Sequence, residues 1–383
     1  MQAITTIEEA VRAASSPVLA LASLKARSSR PVVGSVSSWV PVEIVEALGA
    51  SLFRVPLVSG KISHAAAHLQ SYCCGYGKGI LELALSGGLG NLDAMVFPSL
   101  CDTVQNLADI WTLAVPGIPA VSLYVPVNMA SAGAAPYLET ELRRMMEGLS
   151  RILGKNAGDD ELEAAIETWR ERRRLVRSFY EKQRGAAAGI SAMEVYGLLF
   201  ASDLLSTDEL RRMAEGLEAR PGKKEADGIE VFLVGTGFPF PGFFRLLDEL
   251  AVRVVDDYIC GGRAFWGYVE EPGRAEGEAP LAAVARGFLA RVEGATRRGK
   301  PGEGASVLER IRASGTRHVL WVTQKFCDPW GWQLGMIREK LEKAGVRVFA
   351  LEMSGVEGEE GTLRTRLEAY VETVRMGDEY FDT

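Results

Sequence analysis

Two stretches of this chain end alike. LDAMVFPSLCD (92–102) and HVLWVTQKFCD (318–328) each pass from a hydrophobic run directly into Cys-Asp, at Cys101-Asp102 and Cys327-Asp328. There are five cysteines in all, the others being the vicinal pair Cys73-Cys74 in SYCCGYGKG and Cys260 in DDYICGGR. As small hydrophobes, cysteines would scatter through strand and helix interiors. As nucleophiles they would need a base at hand, usually histidine, and none of the three histidines, His64, His68 and His318, adjoins a cysteine. As zinc ligands they would favour Cys-x-x-Cys pairs, and the chain has none. As ligands of an iron–sulfur cluster they need no close spacing, because a fold can bring distant thiolates together. Three such ligands would leave one iron open to substrate or water, as catalysis at a metal requires.

The elements that must position these cysteines can be read from the pattern of apolar residues. PVVGSVS (31–37), SLFRVPLV (51–58), LDAMVFPSL (92–100) and IPAVSLYVPV (118–127) read as strands, with helical periodicity between them. The same alternation returns in IEVFLVGTG (229–237), VRVVDDY (252–258), RHVLWVTQKF (317–326) and VRVFALEMSG (346–355). Continuous apolar strands separated by helices imply parallel sheets covered on both faces. The expected fold is therefore α/β, with two flavodoxin- or Rossmann-like domains of four parallel strands each. The boundaries fall at an N-terminal helical segment 1–30, a first α/β domain 31–136, a helical segment and linker 137–228 and a second α/β domain 229–383. Within the helical segment, RERRRLVR (170–177) reads as a solvated helix face. All five cysteines then fall at strand carboxyl ends, the edge where open parallel sheets bind ligands. Asp102 and Asp328 are expected to cap the helices that follow.

Composition narrows the partners. Over 383 residues, 43 basic against 50 acidic side chains leave a net charge of −7. That argues against a nucleic-acid or anionic membrane surface. No stretch of 18 uninterrupted apolar residues suggests a membrane span, the opening segment with Glu8 and Glu9 does not read as a secretion signal, and an odd number of cysteines suits a reducing compartment. A cytoplasmic location is expected.

Several motifs in order resemble one family. CGYGKGILELALSGGLGNLDAMVFPSLCD followed by ADIWTLAVPGIP is similar to the cluster-binding segment of the 2-hydroxyacyl-CoA dehydratase / benzoyl-CoA reductase family. GSVSSWVPVEIVEALGA resembles that family's N-terminal Gly…Pro-x-Glu…Ala-x-Gly segment, and VFLVGTGFP, VVDDYICGGR, VTQKFCD and TRLEAYVE match its second domain, so that the resemblance spans roughly 30 to 375. It implies one [4Fe-4S] cluster held by Cys74, Cys101 and Cys327, with Cys73 the alternative to Cys74 and Cys260 outside the ligand set. Five cysteines are too few for the six thiolates of a double-cubane relative. The resemblance also implies a homologous second subunit in a heterodimer, a separate ATP-hydrolysing iron–sulfur activator, and one-electron chemistry on a CoA thioester. In the dehydratases this chemistry passes through a ketyl radical anion that expels hydroxide. Reduction of an aromatic CoA thioester, or electron transfer without a CoA substrate, are the alternatives within the family. No Walker A pattern is present, as expected if ATP is hydrolysed on another protein.

Other residues fall near the expected crevice. Ser35 and Ser37 could hold a thioester oxygen and Glu43 could move a proton, although Ser38 and Glu43 also suit turn and capping chemistry around Pro41. Lys78 and Arg263 are basic residues placed to meet the phosphates of CoA. Phe265 and Trp266 after Arg263, and Trp330 and Trp332 after Cys327, could wall an acyl pocket or pack against a partner. VFLVGTGFPFPG offers a rival reading as a dinucleotide-binding turn, but Phe240 stands where the third glycine of that fingerprint belongs.

Overall fold

In this computed structural model the structure describes residues 4–58, 60–184, 190–220, 228–236, 241–266, 275–290, 295–297, 307–355 and 358–381. Eight strands form two parallel sheets. The first comprises β1 (Val32–Ser35), β2 (Ser51–Arg54), β3 (Ala94–Pro98) and β4 (Ala120–Leu123), in the order β2-β1-β3-β4. The second comprises β5 (Ile229–Gly235), β6 (Val252–Ile259), β7 (His318–Gln324) and β8 (Arg347–Met353), in the order β6-β5-β7-β8. All eight predicted strands are present, and the two orders are the same. In each sheet the chain reverses direction of travel beside the first strand, which opens a crevice at the carboxyl edge. β1, β3 and most of β5 to β7 are buried on both faces, which explains their unbroken apolar runs.

A helical segment joins the sheets: Ala134–Leu153, Asp159–Arg184, Ala192–Ala201 and Thr207–Glu218. Ser191 with Glu194 and Ser206 with Glu209 close capping boxes at the last two. The N-terminal segment is two helices, Ile7–Ser15 and Pro17–Arg27, divided at Ser16 because proline is favoured as a first helical residue. The first of them crosses Ala192–Ala201 at Gly197, where an added Cβ would meet the Val11 backbone nitrogen at 2.8 Å.

The basic run 170–177 departs from the expectation of a solvated face. Arg172 and Arg173 are buried, with 5% and 3% exposure. Arg172 donates to the carbonyls of Leu205 and Ser202, Arg173 pairs with Glu43 at 2.6 Å, and both guanidinium groups lie near the Trp169 ring. Charge density along a helix does not reveal an acid 130 residues away. A second buried pair, Arg54 with Asp203 at 2.5 and 2.7 Å, ties β2 to the helical segment.

Residues 237–240 of the dinucleotide-like turn lie outside the described residues. Among the described residues no helix is long and apolar enough to cross a membrane.

Candidate functional site

Three of the cysteines occupy the same structural position. Cys74 is the N-cap of helix Gly75–Leu85, Cys101 the N-cap of Asp102–Ala114 and Cys327 the N-cap of Asp328–Glu342. Asp102 and Asp328 are therefore exposed first-turn residues rather than the caps expected of them. The substitution of thiol for the usual hydroxyl or carboxylate cap leaves the sulfur available, since none of the three closes a capping hydrogen bond. β7 delivers Cys327 through Phe326, whose φ of 67° is the left-handed conformation a side chain rarely adopts.

The two sheet edges face each other across one cavity of about 120 Å³. Its wall takes Cys74 and Cys101 from the first domain and Cys327 and Cys260 from the second, with Ser37, Ser38, Tyr76, Thr236, Gln324 and Trp330 among the polar and aromatic lining. Cys260 follows β6 directly and its sulfur accepts from the Ser38 amide, with the Ser38 hydroxyl also at 3.2 Å, so this contact bridges the two domains. Cys74 lines the wall and Cys73 does not.

Burial pushes the Cys74 thiol up to about 11, opposed by the amides of Gly77 and Tyr76 and reinforced by Cys101. Cys101 is raised by burial and opposed by the amides of Val104 and Thr103. Cys327 is pushed up to about 12 by burial and by Cys74, with only the Trp330 amide facing it from its own helix. The difference has a covalent cause: the second residue of that helix is Pro329, which has no N–H to offer. Cys101 also raises Cys74, and Cys74 and Cys101 both raise Cys327.

No group of three or more His, Cys, Asp or Glu among the described residues is set closely enough for a single metal ion. Four thiolates around one zinc at about 2.3 Å would stand within roughly 4 Å of each other. The cysteines here line a cavity of about 120 Å³, small against the roughly 300 Å³ or more of an ordinary organic ligand pocket and of a size for a compact inorganic group. Thiol donors from distant segments, with no carboxylate among the described lining residues, are chemically compatible with an iron–sulfur cluster.

The other expected residues divide. Ser37 is on the cavity wall, its Oγ accepting from the Trp39 amide. Ser35 is buried behind it and donates to the Ser37 carbonyl at 2.5 Å. Glu43 is held by Arg173 and does not reach the wall. Lys78 donates to the Ser71 carbonyl at 2.6 Å and lies 5.8 Å from the Phe326 ring, which Lys325 approaches at 5.2 Å. Arg263 is turned into the protein, 3.7 Å from Asp256 and over the Tyr180 ring. Trp330 lines the cavity, whereas Trp332 is 74% exposed. The sequence marks Ser38 only as a capping residue and does not mark Tyr76 or Arg297. Tyr76 anchors the wall by donating to the carbonyls of Val36 and Val55. Nothing in the local sequence marks these residues as part of the site, because each acts through a partner in another segment.

The arrangement defines a class: a two-domain α/β protein that opposes thiols from both domains across a shared cleft. Residues 37–374 match the family described as 2-hydroxyglutaryl-CoA dehydratase, D-component, and the chain belongs to this enzyme family. It is 25% identical to one of the subunits of benzoyl-CoA reductase from Thauera aromatica, over 92% of this chain and 93% of that one. It is 24% identical to the beta subunit of lactoyl-CoA dehydratase from Anaerotignum propionicum, over 94% and 96%. A third relative, the beta subunit of (R)-2-hydroxyglutaryl-CoA dehydratase from Acidaminococcus fermentans, is 24% identical over 96% and 98%. The relatives belong to lyases and an oxidoreductase, and each is one subunit of its enzyme.

Proposed function

We propose that this chain is the iron–sulfur subunit of a 2-hydroxyacyl-CoA dehydratase, with Cys74, Cys101 and Cys327 holding one [4Fe-4S] cluster. The observation that carries the reading is the meeting of three helix-capping thiols, from two domains, in one cavity. When bound, the cluster would supply an iron with an open position and an electron of low potential. The chain's own residues do the rest. The sheet edges and Trp330 would exclude water, Tyr76 fixes the wall, and the Ser37 hydroxyl on that wall would donate to a substrate oxygen. Ser35 supports Ser37, and Glu43 braces the segment after β1 through Arg173 rather than moving a proton. Lys78 and Lys325, which both approach the Phe326 ring beside Cys327, would meet the phosphates of a CoA thioester, while Arg263 serves the buried Asp256 of β6.

A cavity of this size leaves the acyl chain outside it, which supports a substrate site completed by a homologous second subunit. An ATP-hydrolysing activator would deliver the electron. The five free cysteines suit the cytoplasm. The match to a benzoyl-CoA reductase chain favours one alternative, reduction of an aromatic thioester.

The test is an anaerobic assay of the chain with its co-expressed partner, activator, ATP and a reductant, offering a 2-hydroxyacyl-CoA and benzoyl-CoA in parallel. Dehydration of the first is the expected result. Ring reduction of the second selects the alternative. Activity toward neither, in a complex carrying full iron, contradicts both and leaves an electron-transfer role.

A further inference from the structure

One cation at this cavity has no acid among its described neighbours. Arg297 is 3% exposed and reaches from the second domain to the first, where its Nη2 donates to the carbonyl of Ser99, two residues before Cys101. Its Nη1 donates to the Thr296 carbonyl at 2.7 Å, and its Nε is buried without a partner among the described residues. Thr296 and Ala295 are themselves part of the cavity wall. Among the described residues none of its contacts is a carboxylate; the ionisable groups that face it are Cys101 and Tyr137. Burial lowers its pKa to about 10, and a guanidinium remains charged there at neutral pH. A buried cation is stabilised by an opposite charge nearby, and Cys101 as a thiolate would supply one. Three helix N-termini, each carrying positive partial charge, converge on the same thiols. No carboxylate among the described lining residues answers them.

We propose that Arg297 is the charge-balancing residue of the thiolate-bound centre: its guanidinium offsets the negative charge that three thiolates bring to the cavity and so sets the reduction potential of the cluster they hold. The inference rests on the cluster reading above. Arg297 acts through the cluster's surroundings and is a positioning residue. Removing a fixed positive charge beside a redox centre makes each added electron less favourable, so the potential falls.

The test is a redox titration of the anaerobically purified full chain, followed by electron paramagnetic resonance, for the parent, Arg297→Gln and Arg297→Lys, each with its iron content measured. The expected result is full iron in all three and, in Arg297→Gln, a reduced-to-oxidised ratio at fixed potential lower by at least tenfold, which is about 59 mV for one electron. Arg297→Lys should stay within that interval of the parent. Loss of iron in Arg297→Gln with retention in Arg297→Lys would also support a charge requirement. An unchanged midpoint at full iron overturns the role of Arg297 and leaves the ligand assignment intact. Loss of iron in both variants overturns it too, because shape rather than charge would then be needed. A parent chain without iron overturns the cluster reading and this inference together.

Discussion

The same thiol that stands in for an N-cap oxygen at Cys74, Cys101 and Cys327 defines the chemistry at the residue scale. Cys101→Ser and Cys327→Ser should each lose most of the iron on anaerobic purification, while Cys260→Ser should retain it; iron and acid-labile sulfide assays distinguish them. A Cys327→Ser chain with its full iron would refute the ligand set. Glu43 offers a contrasting test. Its pair with Arg173 is buried on both sides, at 8% and 3% side-chain exposure. Glu43→Gln leaves a buried guanidinium without its carboxylate, which should cost about 3–5 kcal/mol and lower the denaturant midpoint. Unchanged stability with lost activity would return Glu43 to a catalytic role. The cysteines were legible in the sequence because their placement after apolar runs is a local pattern. Arg297 was not, since it lies in GATRRGKPGEG, a stretch whose composition reads only as a loop.

Helix starts and loop anchors carry the site at the scale of elements. Gly75, the residue after Cys74, passes so close to the second domain that an added Cβ would meet the Ser354 carbonyl oxygen at 2.1 Å. Backbone cannot yield as a side-chain tip can. Gly75→Ala should therefore part the two domains at the cysteine cavity and weaken iron retention with every thiol still present, measurable as faster iron release to a chelator. The loop before Cys73 is held by Glu82, whose carboxylate accepts from the amides of Ser63, His64 and Ala65 and lies 2.8 Å from the His64 ring. Burial opposes the charged form, but these bonds outweigh it and bring its pKa down to about 2 from 4.5. A depressed carboxylate stabilises the fold above its unfolded pKa, and this contribution fades as pH falls from about 4.5 toward 2. Thermal melts should show Glu82→Gln less stable than the parent at pH 7, with the gap closing across that window; a gap independent of pH would contradict the argument. The strands were legible as unbroken Val, Leu and Phe runs buried on both faces. Cap identity was less so, because Cys-Asp places a good capping residue one position too late and only the backbone shows which of the two flanks the helix.

The two halves of the whole molecule repeat one strand order and meet at their carboxyl edges. The repetition was visible in the sequence as two sets of four strands with Cys-Asp after the third of each. What the strand pattern could not show was the facing of the two edges. That depends on contacts such as Ser38 with Cys260, 222 residues apart, and Arg297 with Ser99, 198 apart. The exposed side chains Tyr72, Phe326, Trp332 and Met336 lie in sequence beside Cys73 and Cys327 and on the helix that Cys327 caps. With a co-expressed homologous subunit the chain should therefore run as a heterodimer by native mass measurement, and a stable monomer in the partner's presence would argue against the assembly. The central claim, that three cysteines from two domains hold one cluster, is tested most directly by iron and acid-labile sulfide analysis of the anaerobically purified chain together with Mössbauer spectroscopy. The account predicts about four irons and four sulfides per chain in a single cubane; a folded chain that binds no iron, or that carries zinc in its place, would contradict it.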